Sequence, residues 1–170
     1  MTASFKRLLV TSCKFAVRFF RDELSLDKNG DAVEPIKAPG RPDKPVLVPP
    51  KNLPKRGMGT TEGRASFLHA ITHIEFNAMN LAWDAVYRFR DMPRDFYADF
   101  VKVASDEARH FTLLNDRLLE LGYQYGDFPA HNGLWEMARK TRGDLLTRID
   151  RKSTRLNSSH STLSRMPSSA

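Results

Sequence analysis

Two apolar stripes at helical spacing, separated by only Asp91, Met92 and Pro93, constrain this 170-residue chain more than any other feature. The first runs through Leu68, Ile71, Glu75, Ala78, Ala82, Val86 and Phe89, widened by Met79 and Ala85. The second runs through Phe96, Phe100, Val103, Glu107, His110, Leu114, Leu118 and Leu121. Recurrence every three to four residues predicts amphipathic helices over 65–90 and 93–121. So short a connection folds them back on each other as an antiparallel hairpin. Gly122 ends the second helix, a turn-rich loop passes through Gly126 and Pro129, and a third helix starts near Leu134. The fold class is all-α.

Each stripe is broken by residues that do not belong in a core. Glu75 is the one charge on the first, and Glu107 sits centrally in the second with His110 three residues later on the same face. A buried carboxylate is expensive unless it is paired or bound to metal. The heights agree as well. Both glutamates lie some fourteen or fifteen residues from the turn, about 20 Å at roughly 1.5 Å of rise per residue. Glu-x-x-His is how four-helix bundles present two metal ligands from one helix. Glu75, Glu107 and His110 are therefore the candidate metal ligands. The alternative is a metal-free pair of buried acids satisfied by Arg109 or by the third helix.

The remaining histidines rank lower. His69 and His73 fall on the opposite face with Asn77, Asn80 and Asp84, a polar face read as solvated or turned toward the proline-rich segment; His73 is a lesser ligand candidate. His131 precedes the third helix, where Asn132 is a plausible cap. Trp83 and Trp135 read as core or strap contacts.

The rest of the chain divides by composition. Residues 1–32 open with a basic, acid-poor helix whose Phe5, Leu8, Leu9, Phe15, Ala16, Phe19 and Phe20 share a face. An accessory helix is preferred to a transit peptide there. Residues 33–64 hold seven of the ten prolines and read as an extended strap. Residues 65–150 carry the helices, and residues 151–170 have seven serines and no acid. That last segment cannot build a core and resembles translated adapter sequence, so it is read as non-native. Four of the seven net positive charges also lie there, which argues against specific nucleic-acid binding. No apolar run is long enough to cross a membrane. The single cysteine, Cys13, excludes an internal disulfide and fits a cytoplasmic location.

Four runs then carry a resemblance: LVPPKNLPKRGMGTTEGR, LHAITHIEFNAMNLAWDAVYRF, ASDEARHF and ELGYQYGDFPAHNGLWE. Residues 46–149 resemble the bacterial ferritin-like family known as domain of unknown function 455. The run at 106–110 is also similar to the ligand helices of di-iron oxygenases and oxidases. The resemblance implies a ferritin-like bundle with one Glu from a first helix and Glu-x-x-His from a second, repeated by a third and a fourth. Glu75, Glu107 and His110 match the first half. Asp106 matches a position that hydrogen-bonds a ligand histidine of the opposing motif, and Arg109 is a candidate charge partner.

The second half is missing: no glutamate follows Glu136. The expectation is a fragment of a di-iron (or di-manganese) protein handling O₂ or iron, whose intact form is an oxidase or oxygenase and which is inactive as it stands. Two Fe ions, with Mn as the alternative, are the implied cofactors. A homodimer of two hairpins, assembling four Glu and two His into an iron-binding or ferroxidase site, is the second expectation, and a metal-free helical scaffold the third.

Overall fold

The computed structural model describes residues 3–25, 32–54 and 57–149, the side chains of residues 3–8 excepted. Expectations placed on Phe5, Leu8 and residues 151–170 lie outside it. The described residues hold no β-strand; their helices are α1 Ala3–Phe20, α2 Thr61–Arg88, α3 Arg94–Glu120 and α4 Gly133–Lys140, and residues 145–149 are helical as well. None is long and apolar enough to cross a membrane. The chain forms two compact units, Met1–Trp135 and Glu136–Ala170.

Local chemistry sets the ends of the two long helices. The Thr60 hydroxyl accepts the Gly63 N–H at 3.0 Å and starts α2 four residues upstream of the expected position. Between α2 and α3 the backbone reverses at Asp91, which adopts φ 57°; aspartate tolerates that left-handed geometry better than most residues. Tyr97 ties the reversal together. Its hydroxyl donates to the Phe89 carbonyl at 3.1 Å and accepts the Met92 N–H at 3.3 Å. At the far end, Gly122 at φ +83° lets its own N–H reach the Leu119 carbonyl and the Tyr123 N–H reach that of Leu118. This is a Schellman stop, and the left-handed residue it needs is a glycine.

The core faces match the stripes read in the sequence in part: Ala78, Met79, Ala82, Ala85, Glu107 and Leu118 are buried as expected, and the rest of the stripes are not. α3 buries Tyr97, Val101, Ala104, Ala108, Phe111, Asn115 and Leu118, a face rotated from the expected one, with Glu107 at its edge. Phe96, Phe100, Val103 and Leu114 are half-buried, as are Leu68, Ile71, Val86 and Phe89 on α2. The reason is that α2 is covered on several sides at once. α1 lies antiparallel to α3, with Leu9 against Phe76, Met79, Ala108 and Phe111, and Phe19 with Tyr97 and Val101. Trp83 donates to the Ser12 hydroxyl of α1 at 2.8 Å.

Residues 32–54 are extended apart from a 3-10 turn at Pro50–Asn52. The strap is pinned by hydrogen bonds. The Val48 N–H donates to the Ala130 carbonyl at 2.8 Å, the Ala130 N–H to that of Val46 at 3.0 Å, and the Trp135 indole to that of Lys37 at 3.3 Å. In the second unit, Arg148 closes the turn after α4 by donating to the Ala138 carbonyl and the Thr141 hydroxyl.

Candidate metal centre

Glu75 stands midway along α2, and Glu107 and His110 midway along α3, where the hairpin geometry sets them side by side. One ligand atom from each lies within 4.8 Å of the other two. His110 Nδ1 is 3.1 Å from Glu107 Oε2 and 3.9 Å from Glu75 Oε2. The carboxylate side chains are only 15% and 11% exposed, whereas that of His110 is 32% exposed, so one side of the cluster opens outward. It opens between the half-buried apolar residues of both helices. Among the described residues no lysine or arginine forms an ion pair with either carboxylate.

The electrostatics follow from that arrangement. Burial, then the hydrogen bond that the protonated Glu75 donates to Glu107 and then the charge of Glu107, push the Glu75 carboxyl up from an ordinary 4.5 to about 8. In the metal-free protein the two acids thus share a proton. A divalent cation is the chemical alternative to that proton, since it neutralises both carboxylates at once and accepts the imidazole lone pair as well. Two carboxylates and one imidazole suit Fe(II) or Mn(II).

The other candidates lie elsewhere. Arg109 is exposed, and with Asp106 it lines a groove between α3 and α1; neither is hydrogen-bonded to the three central residues among the described contacts. Asp106 therefore has no histidine partner within the described chain, and Arg109 does not neutralise the acids.

The polar face expected to be solvated or turned toward the proline-rich segment is buried. His69 is 1% exposed, His73 8%, Asn77 2% and Asp84 3%; the loop after α3 folds down over His69 and His73, and Asp84 pairs with Arg88. His73 Nε2 donates to the His131 carbonyl at 3.1 Å, so in the neutral ring Nδ1 is the acceptor, and the Tyr125 hydroxyl donates to it at 2.7 Å. Burial keeps that ring neutral by lowering its pKa from 6.5 to about 4. His69 Nε2 accepts the Gly126 N–H at 2.9 Å, and its ring stacks on Tyr125. The ring of His131 takes the Gly133 N–H at 3.1 Å where Asn132 was the expected cap. With both ring nitrogens engaged, His73 fastens the loop and lies outside the carboxylate cluster. The signal was present in the sequence, as histidines four residues apart on α2 and a Tyr-rich YQYGDFPAH loop, but its meaning depends on how the loop folds back.

Comparison with known proteins places this geometry in a family. A curated relative, an uncharacterized protein of Haemophilus influenzae, is 51% identical over 115 residues, covering 64% of this chain and 40% of the relative. The chain thus spans about two-fifths of the length of the curated relative it matches. No solved structure matches it. The family described as "Protein of unknown function (DUF455)" matches over residues 2–151, and the chain belongs to that family.

Proposed function

We propose that Glu75, Glu107 and His110 form one half of a dinuclear iron or manganese centre in a ferritin-like bundle, and that the whole protein is an oxidoreductase acting on O₂ or on iron. The carrying observation is the cluster itself: two carboxylates and an imidazole within 4.8 Å, with no lysine or arginine ion-paired to either carboxylate among the described residues. Glu107 and Glu75 would hold the metal through carboxylate oxygens, and His110 would supply the nitrogen donor. A redox-active metal pair supplies electrons to O₂ when bound. The protein's own contribution is to hold three donors on two rigid helices and to limit water on one side.

Three donors are about half of what a dinuclear site takes. The open side of the cluster, flanked by half-buried Val103 and Leu114, is where further donors enter. They come from residues outside the described span or, in the second reading, from another copy of the same hairpin, giving four Glu and two His. The shared proton between Glu75 and Glu107 favours a third reading, a scaffold whose acids are satisfied without metal.

Anaerobic equilibrium dialysis against Fe(II) separates these. The wild type retains iron, and Glu107→Ala loses it by a factor of about a hundred or more, since a carboxylate ligand is removed. Equal iron retention by the wild type and the variant excludes the assignment. Sedimentation at the same protein concentrations distinguishes a completed dimer from a monomer.

A further inference from the structure

α1 buries a narrow stripe, Leu9, Ser12, Ala16 and Phe19, and leaves a second apolar stripe uncovered beside it. Val10 and Val17, one heptad apart, are 51% and 49% exposed. Across from them lies the outer side of α3. Between the two helices runs a groove of about 690 Å³ whose walls include Leu9, Val10, Val17 and Ala108. Lys14 and Arg18 stand on the α1 bank and Arg109 on the α3 bank, against one acid, Asp106. Lys14 and Arg109 form no ion pair among the described residues, and Arg18 reaches Glu23 only at 3.7 Å with half of its side chain exposed.

From this we infer that the α1–α3 groove is a docking surface for an acidic amphipathic helix. The argument is one of shape and charge. A concave, apolar channel between two helices accepts the apolar ridge of a third, the helix-in-groove mode. The α1 bank from Leu9 to Arg18 runs roughly 14 Å at about 1.5 Å per residue, enough for two to three turns of partner helix. Cations on both banks select carboxylates at the partner's flanks. A second copy of the groove is disfavoured as occupant, because α1 contains no acidic residue and pairing it with itself sets cation against cation. A flat bilayer matches the cations but not the concavity.

The probe is a fluorescent helical peptide with leucines at i, i+3, i+4 and i+7 and glutamates on either side, titrated into the full chain by anisotropy. A second peptide carries lysines in place of the glutamates. The glutamate peptide binds and the lysine peptide does not. The surface substitutions Lys14→Glu and Arg18→Glu together weaken the glutamate peptide at least about tenfold and permit binding of the lysine peptide, with helicity unchanged. Val17→Asp abolishes binding of the glutamate peptide. No binding of the glutamate peptide, or binding indifferent to the charge reversal, overturns the inference. So does a chain that binds phosphatidylglycerol vesicles while ignoring the peptide, which would assign the stripe to a membrane surface.

Discussion

Glu75 is held protonated by burial and then by its neighbour Glu107, and this has a measurable consequence in the metal-free protein. Below pH 4.5 the carboxyl is protonated whether the chain is folded or not. Between 4.5 and about 8 the unfolded chain releases the proton and the folded chain keeps it, so stability falls as pH rises through that window. Denaturant unfolding in the presence of a chelator follows this fall, and Glu75→Gln flattens it; a variant with the wild-type profile would remove the shared proton from the account. His73 works in the opposite direction. Its ring stays neutral down to about 4, whereas the unfolded chain takes up a proton near 6.5, so stability falls as pH drops from 6.5 towards 4. Measured in the Glu75→Gln background, that acid loss stands alone. Tyr125→Phe leaves the buried Nδ1 of His73 without its donor and costs about 1–3 kcal/mol, read from the shift in urea midpoint. A change well below that range contradicts the assigned tautomer.

At the scale of elements, the hairpin turn is the feature on which the cluster depends, because an altered reversal would slide Glu75 past Glu107. Tyr97→Phe removes a hydroxyl that satisfies both Phe89 and Met92, and costs about 1–2 kcal/mol in the same assay. An unchanged midpoint would show that water serves those groups equally well. The helix ends were legible because their causes are local: Pro93 and Asp91 interrupt one pattern, and Gly122 supplies a left-handed stop. The closeness of Glu75, Glu107 and His110 was legible too, since equal distances from a short turn leave little freedom. What was only partly legible is which face each helix buries. A stripe of Phe96, Phe100, Val103 and Leu114 predicts one partner surface, whereas α3 packs Tyr97, Val101, Ala104 and Ala108 inward. On α2 the polar residues His69 and His73 become core because a distant loop supplies their hydrogen-bond partners, and Asn77 joins them by donating to the His73 carbonyl of its own helix. Burial of that kind is decided by long-range contacts, which periodicity does not encode.

For the molecule as a whole, the half-buried members of the expected stripes, among them Leu68, Ile71, Val103 and Leu114, form a second face beside the core that Ala78, Ala82 and Leu118 enter. That face shelters the two carboxylates and leaves the His110 side more open. The central claim is that the cluster is built for metal and not for a proton. The measurement that tests it most directly is the melting temperature of the wild type and of Glu107→Gln, each with and without Fe(II) or Mn(II) under anaerobic conditions at pH 7.5. Metal that binds the folded state alone stabilises it by about 2.7 kcal/mol at a hundredfold excess over Kd. The account predicts a metal-dependent rise in the wild type that Glu107→Gln loses, while the metal-free variant melts no lower than the metal-free wild type. A wild type whose melting temperature ignores both metals, or a rise that survives Glu107→Gln, would contradict it.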